Sequence, residues 1–385
     1  MHFRRNAFLF TFLLAVVPSL SLAEEMFYTA PSRLAHTHRQ MNTAGFWIGR
    51  HPAPDQVIMT PQGIIAFNNH VRDDLKLTKD IFAAPAGARY GLTVHYTDVR
   101  FAPTDEPRYE TPGDVDFDQQ QNSTLDVGTP VVVTQESADK KWFYVLSATS
   151  DGWVRSADVA LGDEKAVRDF ASAKKFAVAV KAKADIFLDD GMARFDDYVR
   201  MGTRLPLIKT SGGKTQVRVP VAGKDGALEI ATGYMNSNDV HEGYLPYTAR
   251  AVYTQAFAML NQPYGWGGMY GEQDCSAFLD EVFATVGIIL PRDSKDQAQV
   301  GRKLAALKDA PPLALLPLKG HIMLYLGSIE GRPYAIHAVW AYRERGADKD
   351  IPRVINRVVV SDLSLGEGSH KGSLLERLTG IVEVK

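Results

Sequence analysis

A chain of 385 residues, 45% hydrophobic and 23% charged, has room for two or three folded domains around buried cores. Its formal net charge of −2 comes with neither a basic excess nor an acidic run, so no nucleic-acid partner and no disordered acidic tail are expected.

The N-terminus opens with Met1-His2-Phe3-Arg4-Arg5, continues in an apolar run from Ala7 to Val17, and reaches Ser21 and Ala23 just before Glu24. A basic start, a short apolar centre and small residues at a cleavage point describe a secretory signal peptide over 1–23. The apolar centre is shorter than the about 20 residues a membrane span needs, which sets a cleaved leader above an uncleaved anchor. A periplasmic or secreted product follows, with no stable membrane span after cleavage. Residues 24–84 are mixed in pattern and predict a helical and loop segment without readable chemistry.

From 85 to 165 the texture changes to short β runs: Thr93 to Tyr96, Pro130 to Thr134, Trp142 to Leu146 and Gly152 to Val154. Asp, Ser, Gly and Pro clusters separate them, the punctuation of a small barrel. A second block over 170–246 repeats the texture, with period-two runs at Ala184 to Leu188, Arg204 to Ile208, Thr215 to Pro220 and Ala227 to Ala231. From 247 to 385 the pattern mixes helix and strand. Thr248 to Asn261 reads as a helix, broken by Pro263 and the glycines at 265, 267 and 268. A second helix places Cys275, Phe278, Leu279, Val282, Phe283 and Val286 on one face and stops at Gly287. Strand-like runs at Ile322 to Leu326, Tyr334 to Val339 and Arg357 to Val360 predict an antiparallel sheet beside it.

Cys275 is the only cysteine, so no internal disulfide is possible. A solitary thiol in an oxidising compartment is either a buried small hydrophobe or a group in use. Its polar neighbours Asp274 and Ser276 and the glycine-rich loop before it favour use. A helix N-terminus and an imidazolium lower a thiol from its usual value of about 8.5, so Cys275 is expected as a thiolate. His321 and His337 sit in adjacent strand-like runs; one ring takes the thiol proton and the other orients it, or each is a structural histidine. Backbone N–H groups at the helix start would bind a developing oxyanion. No metal-ligand spacing is present, and neither metal nor cofactor is expected.

Pro263-Tyr264-Gly265-Trp266-Gly267-Gly268 with Asp274-Cys275-Ser276-Ala277-Phe278 resembles the signature of the NlpC-type (NlpC/P60) cysteine peptidases of bacterial cell walls. Leu290 to Gln297, Gly320 to Gly327 and Ile336-His337-Ala338 resemble three further segments of that family, in the same order. Trp142 to Leu146 followed by Gly152-Trp153-Val154 and a turn at Ser156 to Val159 is similar to the end of a bacterial SH3-like domain. The resemblance is therefore to the subgroup with SH3-like domains upstream.

It implies a multidomain α+β chain, two small SH3-like β-barrels followed by a papain-like α+β catalytic domain. It implies Cys275 as nucleophile, His321 as base, His337 as the third polar residue, and Tyr264 near the oxyanion site. Asp274 and Ser276 fall where the subgroup holds the ammonium of a substrate L-alanine, and Asp274 is equally a helix cap. Trp153 lines the cleft or belongs to its barrel's core; Glu106 and Tyr109 are the remaining candidates from the first block. Ala277 and Phe278 stand where Gly and Leu are usual, and Met323 replaces a small residue and is expected to narrow the cleft. The implied activity is cleavage of the γ-D-glutamyl–diamino acid bond in peptidoglycan stem peptides or muropeptides. The alternatives are another thiol amidase or acyltransferase, or a peptidoglycan-binding protein without turnover.

Overall fold

The computed structural model describes residues 39–84, 87–111 and 113–385, and the expected leader over 1–23 lies outside the described residues. The first β block is an antiparallel sheet of β1 (Arg89–Thr93), β2 (Thr97–Arg100), β3 (Gln121–Leu125), β4 (Pro130–Glu136), β5 (Trp142–Leu146), β6 (Asp151–Arg155) and β7 (Val159–Gly162). Its strand order is β3-β2-β6-β5-β4-β1-β7. The second is built from β8 (Phe176–Ala179), β9 (Lys183–Phe187), β10 (Phe195–Arg200), β11 (Arg204–Ser211), β12 (Lys214–Ala222), β13 (Leu228–Asn236) and β14 (Val240–Glu242). Its order is β10-β9-β13-β12-β11-β8-β14.

Each sheet thus has seven strands where the sequence announced four. Strand β10, Phe-Asp-Asp-Tyr-Val-Arg, escapes a hydrophobic pattern because half of it is charged. Nor are the two blocks independent. Leu92 and Val132 of the first share one apolar cluster with Ile186, Val199 and Val219 of the second, around Val167 and Phe170 of the intervening helix (Glu164–Ala171). That shared burial fixes the angle between the sheets as firmly as a core does.

The third sheet runs β15 (Arg302–Lys303), β20 (Val382–Glu383), β16 (Leu315–Leu318), β17 (His321–Ile329), β18 (Arg332–Glu344) and β19 (Ile351–Asp362) in spatial order. Two helices lie against it. One (Ala249–Ala258) is capped by the Thr248 hydroxyl; the other (Cys275–Ala284), here the nucleophile helix, is capped by Asp274. Phe278, Leu279, Val282 and Phe283 of that helix are fully buried against Ile322, Leu324 and Ile336, as the periodicity predicts.

The segment read as helix and loop proves to be part of this core. Trp47, Ile48, Phe67 and Val71 are buried in the same cluster, and the Trp47 indole lies 5.5 Å from the Tyr334 ring. Asn68 clasps the end of the nucleophile helix, donating to the Gly287 carbonyl (2.9 Å) and accepting from the Ile289 N–H (3.0 Å). Among the described residues no helix is long and apolar enough to cross a membrane.

Candidate active site

Asp274 organises the start of the nucleophile helix. Its Oδ1 accepts from Ser276 N–H (3.1 Å), Ala277 N–H (2.9 Å), the Ser276 hydroxyl (3.1 Å) and Arg292 Nη1 (3.1 Å). Its Oδ2 accepts from Gly267 N–H (3.2 Å) and Arg292 Nη2 (2.7 Å). Those six donors exceed the roughly four lone-pair sites of a carboxylate and crowd Oδ1 in particular. Desolvation opposes its ionisation, but the Arg292 guanidinium and the capping donors hold Asp274 below the usual carboxylate range. Asp274 and Ser276, expected at the substrate ammonium, are both bonded here by Arg292.

This changes the thiol. Asp274 has taken two first-turn N–H groups, its own carbonyl takes Phe278 N–H (2.9 Å), and its charge sits beside the sulfur. Cys275 is only 7% exposed. Burial first, and the Asp274 charge second, push the Cys275 thiol up to about 12, against the Ile322 N–H, Arg292 and the Ser276 N–H. The expected thiolate is therefore a protonated thiol in the resting site. The helix N-terminus lowers it only weakly, through the Ser276 N–H, because most of its positive end is turned on the Asp274 carboxylate. Among the described residues the N–H of Cys275 itself keeps no partner.

The sulfur lies within hydrogen-bonding reach of the Ile322 N–H, one residue beyond His321 at the start of β17. His321 Nε2 is 2.7 Å from His337 Nδ1, and His337 Nε2 is 2.6 Å from the Ser361 hydroxyl. His337 and Ser361 are fully buried. The row crosses three strands, which the pairings Leu324 with Ile336 and Ala335 with Ser361 bring side by side. Burial, then the charge of Arg377, pushes the His321 ring down to about 3; burial and His321 hold His337 well below the ordinary imidazole range. Both rings are neutral at rest.

Around this row the glycine-rich loop is clamped by both upstream sheets. Gln121 Nε2 donates to the Gly267 carbonyl (3.2 Å) and the Tyr96 hydroxyl to that of Gly268 (2.9 Å). Gly268 has φ of +91°, and a Cβ there would lie 2.6 Å from Thr124, so no side chain fits. Arg292 Nε donates to the Ser123 hydroxyl (2.9 Å), tying the Asp274 cluster to β3. From the second sheet, Lys183 pairs with Glu272 (2.8 Å). Further along the helix, Arg200 joins Asp126 of the first block (2.7 Å) to Glu281 (3.2 Å).

His321 and His337 are brought together, Cys275 meets the start of the same strand through the Ile322 N–H, and Tyr264 lies in the field of Cys275. Its hydroxyl feels the charges of Cys275 and Asp274, and burial keeps it protonated. Trp153 does not reach the site: its ring contact is Tyr144, 5.5 Å away in the same sheet. The aromatic that does reach it is Phe117, 5.3 Å from Trp266 and 4.9 Å from Trp340. Tyr109 lies near the exposed Tyr270, whereas Glu106 is engaged through its carbonyl by Arg100 (3.2 Å). Met323 is fully buried in a separate cluster with Leu316 and Leu318, and so narrows nothing. Arg292, Ser361 and Arg200 were not singled out in the sequence. Arg292 does lie within the family-like segment Leu290 to Gln297, but no role was attached to it there.

Residues 107–155 match the SH3 domain (SH3b1 type) family model, and residues 261–347 match the NlpC/P60 family. Over 92 residues the chain is 38% identical to the gamma-D-glutamyl-L-lysine dipeptidyl-peptidase of Bacillus subtilis (strain 168). That alignment covers 24% of this chain and 27% of the relative, so the match spans about a quarter of the relative's length. Among solved structures, an NlpC/P60 endopeptidase from Photobacterium damselae subsp. piscicida aligns with a TM-score of 0.65 at 20% identity, covering 93% of this chain and 95% of that one. An NlpC/P60 family protein from Bacillus cereus ATCC 10987 aligns with a TM-score of 0.56 at 18% identity, covering 77% and 99%. At such identities these structures speak for the fold alone.

Proposed function

With an SH3 domain of the SH3b1 type and an NlpC/P60 domain in one chain as premise, we propose that the protein is a cysteine endopeptidase of peptidoglycan stem peptides. The bond cut is the amide between γ-D-glutamate and a diamino acid. The division of the chain that accompanies this reading is a leader at 1–23, an N-terminal segment at 24–84, SH3-like domains at 85–165 and 170–246, and a catalytic domain at 247–385. A leader of that kind makes the product periplasmic or secreted, where its substrate is.

The observation that supports the reading is the row His321, His337, Ser361, with the Cys275 sulfur beside its start at the Ile322 N–H. If His321 Nδ1 is to accept the thiol proton, Nε2 must carry a hydrogen and donate to His337 Nδ1. His337 Nε2 then donates to the Ser361 oxygen. The row accommodates the base-competent tautomer, with Ser361 as its terminal acceptor. The sulfur attacks the γ-carbonyl carbon as its proton passes to His321, so the charge separation arises only with bond formation. The oxyanion is received by the Cys275 N–H and the Tyr264 hydroxyl. As the C–N bond breaks, His321 returns the proton to the leaving amine, and a thioester remains. His321 then takes a proton from water, the hydroxide attacks the thioester, and the acid leaves as the sulfur regains its proton.

A second reading, a wall-binding protein without turnover, is favoured by the deep burial of the thiol. One experiment separates them. The mature protein with L-Ala-γ-D-Glu-meso-diaminopimelate is expected to release free diamino acid, followed by mass spectrometry. Cys275→Ala abolishes release and leaves the thermal melt in place. No release by the wild type favours the binding protein, and unchanged turnover in the variant removes Cys275 as nucleophile.

A further inference from the structure

The segment after β19 folds back over the His321 end of the third sheet. Leu374 N–H bonds the Leu365 carbonyl (3.0 Å), Leu375 N–H that of Leu363 (2.8 Å), and Thr379 N–H that of Pro317 (2.9 Å). Leu378 bridges Leu318, which is the register partner of His321. Arg377, one residue earlier, therefore stands two strand spacings from the base, close enough for its charge to act on the His321 ring. Arg343 of β18 reaches the same place, with its carbonyl near Gly366 of the returning segment.

Arg377, Arg343 and Lys371 form a group of cations within one another's field. Arg377 and Arg343 are half-buried, yet among the described residues no side chain pairs with any of the three. The nearby acids are engaged elsewhere. Glu344 binds Arg353 (2.6 Å) and the Tyr342 hydroxyl (2.7 Å). Asp350 accepts from the His370 ring (2.8 Å) and the Lys371 backbone N–H (2.8 Å), and Glu376 from Ser373 N–H (2.7 Å). Like charges gathered out of water repel, and an anion is what would relieve them. Consistent with that strain, burial and mutual repulsion lower both Arg377 and Lys371.

We propose that Arg377, Arg343 and Lys371 form a carboxylate subsite for the leaving half of the substrate. The inference rests on the endopeptidase reading above. His321 returns its proton to the leaving amine, and in an amino acid the α-carboxylate hangs on the carbon bearing that amine. A cation two strand spacings from His321 is placed for that group. The bidentate fork of arginine suits it better than a lysine does. The enzyme accordingly favours stem peptides that end at the diamino acid, with its α-carboxylate free, over those extended through it.

The test compares L-Ala-γ-D-Glu-L-Lys with its C-terminal amide, and with the meso-diaminopimelate peptide. Wild-type kcat/KM is expected to favour the acid over the amide by about ten- to hundredfold, the worth of a charge-assisted contact. That ratio collapses in Arg377→Met and Arg343→Met and survives in part in Arg377→Lys, with melts near that of the wild type. A wild-type ratio near one, or a ratio preserved in both Met variants, overturns the subsite. Indifference to α-amidation with a strong preference for diaminopimelate over lysine moves the contact to the distal carboxylate and overturns the α-assignment. If the wild type cuts none of the peptides, the activity itself falls and the subsite with it.

Discussion

Arg292 and Arg200 are both buried, and both pair with acids of the nucleophile helix, yet they hold different things. Arg292 meets a single carboxylate, Asp274, with two guanidinium nitrogens, and spends its Nε on Ser123. That hydrogen-bonded pair is one to one, with the buried Asp280 held near it mainly as the neutral acid by desolvation. Arg200 lies between two carboxylates: Asp126 takes its Nε and Nη2, and Glu281 keeps only the approach of Nη1 at 3.2 Å. One positive charge there serves two acids, and both Glu281 oxygens lack a hydrogen bond. Desolvation pushes Glu281 up to about 8, although Arg200 lies beside it. The matched pair sits beside the chemistry and the unmatched one at the docking face of both sheets, so a fixed charge is kept where the sulfur must work.

Replacing each arginine is the strongest way to break that contrast. Arg292→Met leaves Asp274 buried and ionised without its partner, a loss of about 3–5 kcal/mol in urea unfolding. It also frees the cap that positions Cys275, so kcat/KM is expected to fall about a hundredfold or more. Arg200→Met is milder in stability, about 3 kcal/mol, because Glu281 escapes by holding a proton. Its activity stays within about tenfold, since no group of the row touches it. Equal losses of activity in the two variants would erase the distinction.

The helix, its cap Asp274, and Cys275, His321 and His337 were legible because each is encoded locally, by a period, a cap residue or a short motif. Arg200 and Arg292 were not, because their partners lie on other elements: Asp126 is 74 positions from Arg200, and Ser123 is 169 from Arg292. No periodicity links such pairs. The expected thiolate failed for a related reason. Asp274 was read correctly as a cap, but a cap that is also an anion weakens the field credited to the helix end. Trp153 stands out because a strand motif is readable, whereas the loop carrying Phe117 has no pattern announcing that it crosses to Trp266 and Trp340.

A finer test uses pH. Glu281 rises from 4.5 to about 8 in the folded chain, so between those values the native state holds a proton that the unfolded chain has released. Stability from this group is complete below about 4.5 and is lost as pH rises through 8. Glu281→Gln should therefore flatten the fall in urea midpoint between pH 5 and pH 8.5. Asp274 has the opposite sign: being lowered, it contributes above its ordinary value and loses that contribution in acid. A wild-type minus Glu281→Gln difference in midpoint that stays constant from pH 5 to 8.5 would contradict the unmatched charge at Arg200, since the neutral His321 and His337 act alike in both proteins.

The smallest expected effect lies in the row itself. Ser361 touches no substrate and is the far anchor, 2.6 Å from His337 Nε2. With Ser361→Ala the His337 Nε2 hydrogen carried in the base-competent direction loses its acceptor, which disfavours the direction that leaves a lone pair on His321 for the thiol. The hydrogen bond lost is worth about 1 kcal/mol, so kcat should fall about fivefold while KM stays put, because binding groups are untouched. Ser361→Thr keeps the hydroxyl and should recover most of the rate. Loss of KM instead of kcat, or no rescue by threonine, would make Ser361 a packing residue and leave His337 to orient His321 unaided.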